Sequence, residues 1–411
     1  NAFCWKLSKS KLINKIYAVP GNAGTENYAE NHNISVNDFE KIKSLVLDKE
    51  IKMVLVGPEE PLVNGIHDYF LNEDSLKDVN IIGPQKKGAL LEGSKSFAKE
   101  FMIRNKIPTA KYLKVNEDNI NEGNVFLDNL SPPYVLKADG LAAGKGVLII
   151  NNLDEAKIEL KRMLIDQKFG EASKNVVIEE FLDGIELSCF VLTDGKNYIT
   201  LPMAKDYKKI GEGDTGLNTG GMGAISPVPF VSKEFKNKIE KEIIKPTING
   251  LKREKIPFTG FIFIGLIKVK DQPKVIEYNV RMGDPETEVV LPRIKNDFGE
   301  ILSSLVSNKL KSVKIKFSKE SSATIVSVSK GYPGKYEKGK EINGLDKNIE
   351  SIIFHCGTIK RSKKVFTNGG RVLAITSFGK DFKIAVSKSY SFLKKINYEG
   401  IHYRKDIGFD L

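Results

Sequence analysis

Short apolar segments alternate with segments of helical periodicity over the first hundred residues, and this alternation restricts the possible folds more than any other feature of the sequence. It indicates βαβ units on a parallel sheet, where ligands bind beyond the carboxyl ends of the strands. Two of these strand ends carry unusual loops, at residues 20–25 (PGNAGT) and 57–61 (GPEEP). The predicted strands are 15–19, 52–56 and 79–82, and the predicted helices are 2–11, 38–49 and 62–71.

A second block of alternating segments begins near residue 94 and ends in a small α+β region. Residues 211–229 predict a long glycine-rich loop with little regular structure, and such loops usually have a function. The predicted strands of this block are 134–137, 147–150, 176–181, 186–193, 260–270, 274–279, 323–329, 352–355 and 371–376, and its predicted helices are 94–105, 153–165 and 382–396.

The composition is that of a globular protein with several domains. At about 100–200 residues per domain, 411 residues predict two to four domains. No apolar run reaches the roughly 18 residues of a membrane helix, so we expect no membrane partner. Three scattered cysteines exclude a disulfide framework and fit a cytoplasmic protein. The four histidines show no metal-ligand spacing either.

The net charge of +12 comes almost entirely from lysine, since only eight of the 64 basic residues are arginine. Proteins that read nucleic acids favour arginine for bidentate contacts. We therefore expect a solvated lysine surface and no nucleic-acid partner. A polyanion-binding face is the alternative, and it would bind DNA or RNA with a steep salt dependence.

The first chemical motif is KADGLAAGKG, at residues 137–146. A lysine ends one strand, and a turn of glycine and alanine leads into the next. Backbone N–H groups of such a turn can close over phosphates, and lysine supplies the positive charge that they need. Taken alone, a segment of this kind is more often a plain hairpin turn.

The second motif is VIEEFLDGIE, at residues 177–186. Backbone groups at the end of such a strand can bind the edge of an adenine, and a carboxylate such as Glu186 can hold ribose hydroxyls. An edge strand with solvated carboxylates is the alternative for this segment by itself.

The third motif is VIEYNVRMGDPE, at residues 275–286. The two-residue period of a strand places Glu277, Asn279 and Arg281 on one face. Two oxygen ligands at this spacing suit Mg²⁺, which keeps waters and phosphate oxygens for its other positions. An adjacent arginine can neutralise charge on a phosphoryl group during its transfer.

The fourth motif is DTGLNTGGMGA, at residues 214–224. The small residues after Asn218 favour close approach of the backbone to an anion or a small substrate. A flexible solvent loop is the alternative. The four motifs together indicate phosphoryl transfer from ATP with Mg²⁺, and the sequence contains no Gly-x-Ser-x-Gly motif for a serine nucleophile.

In this order the motifs resemble those of the ATP-grasp superfamily, and specifically its phosphoribosylamine–glycine ligase family of purine biosynthesis. Further segments that carry the resemblance are VGPEEPLV (56–63), LEGSKSFAKEFM (91–102), TNGGRVL (367–373) and RKDIG (404–408). The resemblance implies an α/β, multidomain ATP-grasp fold. Its expected parts are a parallel-sheet N-terminal domain (1–93), an ATP-grasp domain (94–310) with a lid at about 108–182, and a small C-terminal α+β domain (311–411).

The resemblance also implies roles for individual residues. The expected catalytic residues are Arg281, Asp214 and Lys137, and Glu277 and Asn279 are the expected ligands of Mg²⁺ or Mn²⁺. ATP is expected to contact Lys95, Lys137, Asp139, Gly140, Gly144, Lys145, Gly146, Glu179, Glu180, Phe181, Leu182 and Glu186. Glycine and 5-phosphoribosylamine are expected to contact Gly21, Asn22, Gly24, Thr25, Pro58, Glu59, Thr219, Gly220, Gly221, Met222, Gly223, Asp284, Pro285 and Glu286.

The implied activity is the ATP-dependent ligation of glycine to 5-phosphoribosylamine through a glycyl phosphate, by a monomer that acts on small molecules. Two departures from the family pattern concern substrate binding. The family's Gln-Asp-His-Lys-Arg is replaced by KDYKK at 205–209, and its first strand and Gly-Gly-Arg-Glu loop are expected before Asn1. A ligase with a different amine and a nucleotide-binding relative without catalysis are the alternatives.

Overall fold

The structure is a computed structural model that describes residues 1–141, 146–347 and 350–411. Gly144 and Lys145, two of the residues expected to contact ATP, lie outside these ranges. Three hydrophobic cores organise the described residues. One lies between the N-terminal region and the central sheet, one joins the central sheet to the C-terminal region, and one belongs to the lid.

The N-terminal region contains parallel strands, but they form two separate pairs. Tyr17–Ala18 pairs with Glu30–Asn31, and Met53–Leu55 pairs with Asn80–Ile82. The single continuous sheet predicted from the alternation is therefore not formed by the described residues. The first predicted helix is also shorter than expected. The helices of this region are Ala2–Leu7, Phe39–Asp48, Glu59–Val63, Ile66–Asn72 and Lys86–Gly93.

The central body is built on an antiparallel sheet of four strands, in the order Tyr198–Thr200, Ile185–Thr193, Gly260–Val269, Gln272–Asn279. Side chains alternate between its two faces, so that Phe190 packs in one core and Val191 in the other. The helices of the body are Lys95–Arg104, Lys233–Ile239, Lys245–Arg253, Thr287–Arg293 and Phe298–Val306.

The lid is a separate antiparallel sheet with its own small core. Two helices, Ile120–Asp128 and Leu153–Leu164, contribute buried apolar residues to that core. The glycine-rich turn joins two adjacent strands of the sheet. In spatial order the strands are Tyr112–Val115, Val176–Glu180, Tyr134–Ala138 and Val147–Ile150.

The C-terminal region is an antiparallel sheet that also takes strands from the central body. In spatial order its strands are Lys205–Asp206, Gly223–Ser226, Ser321–Val328, Arg371–Gly379 and Ile352–His355, and helix Phe382–Leu393 contributes to the same core. This sheet therefore crosses the domain boundary predicted at residue 310.

The prediction of an irregular loop at 211–229 is wrong. Strand Gly223–Ser226 pairs with Ser321–Val328, and Lys209–Gly211 forms a short antiparallel pair with Thr215–Asn218. The glycine-rich sequence has no alternating pattern of its own, because the strand is selected by a partner almost one hundred residues later in the chain.

A buried carboxyl group lies where the C-terminal sheet packs on the body. Glu288, in helix Thr287–Arg293, is 8% exposed, and its Oε2 has no hydrogen-bond partner among the described residues. Burial, together with the charge of Asp284, raises the pKa of Glu288 to about 8. The folded protein therefore keeps a proton on this group at pH values where an unfolded chain releases it.

We predict that this proton makes stability fall with rising pH, and that Glu288→Gln removes the effect. Between pH 4.5 and 8 the unfolded chain loses a proton that the folded chain keeps, so the free energy of unfolding decreases as pH rises. Urea unfolding measures the free energy of unfolding of both proteins at pH 5 and pH 9. From pH 5 to pH 9 the value for the variant should rise relative to that for the wild type by at least about 1.4 kcal/mol, the value of one pKa unit. Glu117→Gln, an exposed control, should leave the pH dependence unchanged, and an equal change in both variants would contradict the prediction.

Candidate active site

A cavity of about 690 Å³ lies between the lid, the central sheet and the C-terminal segment. Its wall contains apolar side chains from the lid and the sheet, including Val135, Ile149, Phe181, Phe263 and Ile267. The wall also contains many charged groups. The residues expected from the sequence that line it are Lys95, Lys137, Gly140, Gly146, Glu179, Glu180, Phe181, Leu182, Glu186, Asp214, Thr219, Gly220, Glu277, Asn279, Arg281, Glu59, Asp284 and Glu286.

A buried ion-pair cluster stands where the lid meets the body. Lys137 ends strand Tyr134–Ala138, and its Nζ lies 3.0 Å from Glu179 Oε1. Lys99 Nζ lies 3.1 Å from the other oxygen of the same carboxylate. Burial alone would raise the pKa of Glu179, but the two lysines hold it below its ordinary value. The carboxylate is therefore ionised and shared between two cations.

The glycine-rich turn is tied to the start of helix Lys95–Arg104. Ser94 caps this helix, and its Oγ donates to Asp139 Oδ1 at 3.0 Å. The backbone N–H of Ser96 donates to the same oxygen at 3.1 Å, and Lys95 Nζ donates to the carbonyl of Gly140 at 3.1 Å. These contacts thus hold Asp139 and Gly140 against the start of the helix, and Asp139 does not line the cavity.

The acidic strand end contributes both apolar and charged groups. Phe181 is 40% exposed in the cavity, which gives a planar ligand an aromatic surface. Glu180 accepts from the backbone N–H of Lys111 at 3.0 Å, and Glu186 pairs with Lys208 at 2.9 Å. This half of the cavity can accommodate an aromatic base beside a polar, hydroxyl-bearing group.

Glu277, Asn279 and Arg281 line the cavity at the end of strand Gln272–Asn279. The Arg281 guanidinium is held by carboxylates, with Nη2 2.7 Å from Glu92 Oε1 and Nε 3.3 Å from Glu59 Oε2. It also donates to Asn279 Oδ1 at 3.2 Å. Burial raises the pKa of Glu92 to about 7, although Arg281 opposes this.

The end of strand Gln272–Asn279 is suited to a divalent cation whose remaining ligands come from a phosphate group and water. Asn279 Nδ2 is buried without a partner among the described residues, so its amide is only partly fixed by the protein. Within the described residues no group of three His, Cys, Asp or Glu side chains is close enough to hold a metal ion. Glu277 and Asn279 could supply two oxygens, and phosphate oxygens and waters would have to supply the rest.

The loops around the fourth and third motifs are joined by an arginine from the C-terminal region. Arg371 Nη1 donates to the carbonyl of Gly220 at 2.7 Å and to Asp284 Oδ1 at 2.9 Å. Gly221 has φ +113°, and a Cβ there would lie 2.3 Å from Pro285 Cδ. Only glycine allows the two loops to approach this closely. The expected substrate contacts Gly221, Met222, Gly223 and Pro285 do not line the cavity.

Glu286 lines the cavity with only 2% of its surface exposed, and it accepts from Ser188 Oγ at 2.8 Å. Burial, with the charge of Asp206, raises the pKa of Glu286 to about 7. At neutral pH this carboxyl group is therefore partly protonated.

Asp214 lines the cavity but is paired with a residue near the end of the chain. Arg404 Nη1 lies 2.5 Å from Asp214 Oδ1, and the same guanidinium forms two hydrogen bonds with Asp406, at 2.8 Å and 2.7 Å. Arg404 is fully buried. The segment that contains it therefore fixes the hairpin of Lys209–Gly211 and Thr215–Asn218 at the edge of the cavity.

Residues 404–410 also bind the KDYKK segment at 205–209, which replaces the family's Gln-Asp-His-Lys-Arg. Lys205 Nζ lies 3.2 Å from Asp410 Oδ2, and the Tyr207 hydroxyl donates to Asp410 Oδ1 at 2.9 Å. Asp410 and Lys205 both line the cavity.

The PGNAGT loop does not line the cavity; it packs on the C-terminal region. Asn22 Oδ1 accepts from the backbone N–H groups of Gly24 and Thr25, and its Nδ2 donates to the carbonyl of His355 at 2.8 Å. A Cβ on Gly24 would lie 2.5 Å from the His355 ring. Gly21 and Pro58 also lie outside the wall, so this loop and the cavity are separate in the described structure.

Five residues near the cavity were not predicted from the sequence: Glu92, Lys99, Arg371, Arg404 and Asp410. Lys99 was detectable, because it follows Lys95 by four residues and shares its helix face. Arg371 and Arg404 lie in recognised motifs, but their partners are 151 and 190 residues away.

Comparison with known families gives matches along the chain. Residues 1–92 match the phosphoribosylglycinamide synthetase N domain, residues 93–287 its ATP-grasp (A) domain, and residues 322–410 its C domain. The phosphoribosylamine–glycine ligase of Caldanaerobacter subterraneus subsp. tengcongensis is 45% identical over 407 residues, which cover 99% of this chain and 96% of the relative. The phosphoribosylamine–glycine ligase of Haemophilus influenzae is 44% identical, and the match covers 100% of this chain and 95% of the relative.

A solved structure shows the same similarity. The crystal structure of phosphoribosylamine–glycine ligase from Thermotoga maritima aligns with a TM-score of 0.83 and 35% identity, over 98% of this chain and 96% of that one. The predicted ATP-grasp fold with flanking N-terminal and C-terminal domains is confirmed.

We predict that Arg404→Lys loosens the hairpin that carries Asp214. Lysine keeps the positive charge but cannot reproduce the bidentate contact with Asp406. The free energy of unfolding should fall by about 1–3 kcal/mol, as expected when hydrogen bonds to charged groups are lost. Amide exchange in residues 209–218 should become faster. Arg361→Lys, at an exposed position, is the control, and unchanged exchange in the Arg404 variant would refute the role.

Proposed function

This chain belongs to the phosphoribosylglycinamide synthetase family, and from this premise we propose that it is a phosphoribosylamine–glycine ligase. It would use ATP to join glycine to 5-phosphoribosylamine, with release of ADP and phosphate. The observation that supports this most directly is the convergence of three elements on one cavity: the lid lysine Lys137, the strand end with Glu277, and the Thr219–Gly220 loop.

We propose that ATP binds between the lid and the central sheet. Phe181 and Leu182 would contact the adenine, and Glu186 the ribose, while Lys95 and Lys137 bind the phosphates. A carboxylate such as Glu179 needs a counterion when it is buried, and in the free protein Lys137 provides part of it. Phosphates that displace this contact would bind an ammonium group that is already oriented toward the cavity.

We propose that Glu277 and Asn279 hold the divalent metal ion that accompanies the nucleotide, Mg²⁺ or Mn²⁺. Such an ion, when bound, would neutralise phosphate charge. The composition of the cavity wall supports a role for such an ion. Among the described residues of the wall, carboxylates outnumber lysine and arginine side chains. Without added positive charge such a wall would repel a polyphosphate.

The chemistry requires activation of a poor electrophile. ATP would phosphorylate the glycine carboxylate to a glycyl phosphate, and the amine of phosphoribosylamine would then attack the carbonyl carbon and displace phosphate. Arg281, whose guanidinium is oriented by two carboxylates, would neutralise the charge on the transferring group. The protein's contribution is therefore positioning and charge neutralisation.

We propose that the amine substrate binds between the PGNAGT loop and the Thr219–Gly220 and Asp284 loops. Arg371 joins the last two, and Asn22 fixes the first against the C-terminal region. A cytoplasmic location and a monomeric state are part of this proposal. In the described residues no helix is long and apolar enough to cross a membrane.

The proposed function predicts that ADP release depends on both glycine and an amine. With ATP and Mg²⁺, ADP should form only when glycine and freshly generated phosphoribosylamine are both present, because the acyl phosphate must be captured by the amine. A coupled ADP assay and mass spectrometry of the product would measure this. ADP release without glycine, or equal release with a different amine, would refute the assignment.

We predict that Arg281→Met lowers kcat by about 10²–10³-fold, by analogy with the removal of one transition-state donor. Binding of a non-hydrolysable ATP analogue should change far less, because the arginine acts on the transferring group. Glu92 can take up a proton once its partner is lost, since burial already raises its pKa to about 7. Arg104→Met also removes an arginine paired with a glutamate, but away from the cavity. It should keep normal turnover, and near-normal turnover of the Arg281 variant would refute the role.

A further inference from the structure

The carboxylate of Glu179 is bound by two lysines, of which the proposed function uses only Lys137. We propose that Lys99 is a positioning residue, which keeps the Glu179 carboxylate neutralised when Lys137 turns to the nucleotide phosphates. This inference rests on the proposed use of ATP by this cavity.

Lys99 is anchored in a way that Lys137 is not. Besides Glu179, its Nζ donates to Thr109 Oγ1 at 2.8 Å, and this hydroxyl donates to the carbonyl of Val275 at 2.7 Å. Val275 belongs to the strand that ends at Asn279. For Lys137, Glu179 is the one ion-pair partner among the described residues. Lys99 is thus fixed to the body, whereas Lys137 can exchange its partner for a ligand.

The charges of the cluster explain why two lysines are needed. The exposed fractions of Lys99, Lys137 and Glu179 are 2%, 6% and 4%. An isolated carboxylate at such a depth is costly, so a single lysine would be held tightly to it. With two lysines the cluster carries one excess positive charge, which a phosphate can use while the carboxylate keeps a partner. Burial lowers the pKa of Lys99 to about 8, with Glu179 opposing, so it is mostly charged at neutral pH.

A purely structural role for Lys99 makes a different prediction. If Lys99 only neutralises and packs against Glu179, its loss affects stability, and a change at Glu179 has no reason to restore ligand binding. If Lys99 frees Lys137, then removing the charge of Glu179 should release Lys137 again. Glutamine at 179 keeps the shape and one acceptor oxygen of the side chain.

The test compares Lys99→Met, Glu179→Gln and the double variant by calorimetric titration with Mg²⁺ and a non-hydrolysable ATP analogue. The Lys99→Met affinity should fall by about 10–100-fold, the range expected for a lost hydrogen bond to a charged group. The double variant should bind within about threefold of Glu179→Gln, since a factor of three is under 1 kcal/mol. Lys111→Met, an exposed lid-side lysine, is the matched control and should bind normally.

Normal affinity of Lys99→Met, or no recovery in the double variant, would overturn the proposal. If Lys99→Met does not fold, the comparison of Glu179→Gln with the double variant still tests the proposal. A double variant that binds the analogue about tenfold more weakly than Glu179→Gln would show that Lys99 does not act through Glu179. Failure of the ligase assignment is separately visible. A wild type that binds the analogue but releases no glycine-dependent ADP refutes the assigned reaction and leaves the test of Lys99 intact.

Discussion

The register between the strands Gly260–Val269 and Gln272–Asn279 is the constraint on which the rest of the site depends. Gly265 pairs with Glu277, and a bulge follows between Gly265 and Leu266. A Cβ on Gly265 would lie 3.2 Å from Glu277 Cγ, so the glycine leaves room for the acidic side chain. Since a slip by one residue turns every side chain of a strand to the other face, this register decides that Glu277 and Asn279 face the cavity.

The charged groups around this strand neutralise one another in the free protein. Arg281 is held by Glu92 and Glu59, and Glu179 is held by two lysines. Few of these charges would be tolerated alone at such depth, because removal of one partner leaves a buried charge uncompensated. The same groups line the cavity, so in the proposed function a polyphosphate with its cation would exchange partners within a network that is already arranged.

Much of the fold could be predicted from the sequence where the signal is local. The strand Val147–Ile150 has the predicted bounds, and Tyr134–Ala138 and Gly260–Val269 differ from prediction by one residue. The ATP-grasp architecture was predicted from a family resemblance that rests on both the residues of the motifs and their order along the chain. The hairpin at 209–218 could not be predicted in this way, because the Arg404 side chain that contacts Lys209 and Asp214 comes from almost two hundred residues later in the chain.

Predictions for the site show the same limit. The resemblance placed Asp139 on the nucleotide, but its carboxylate is bound by Ser94 and Ser96, which lie 45 and 43 residues earlier, and it does not line the cavity. The amine-binding role of the PGNAGT loop stays a prediction, since the loop lies apart from the described cavity. The residues that could not be predicted are ion-pair and hydrogen-bond partners from distant parts of the sequence, such as Arg371 and Arg404. Local residue spacing contains no information about such contacts.

The contacts of Arg404 and Asp410 have a consequence for how the protein is made. The cavity wall contains Lys205, Asp214 and Asp410, and the ionic partners that fix the first two come from residues 404–410. On a ribosome the lid and the central sheet emerge long before these partners. A nascent chain that stops near residue 400 therefore lacks the groups that fix Lys205 and Asp214 on one side of the cavity. This part of the site is completed only after residues 404–410 have been synthesised.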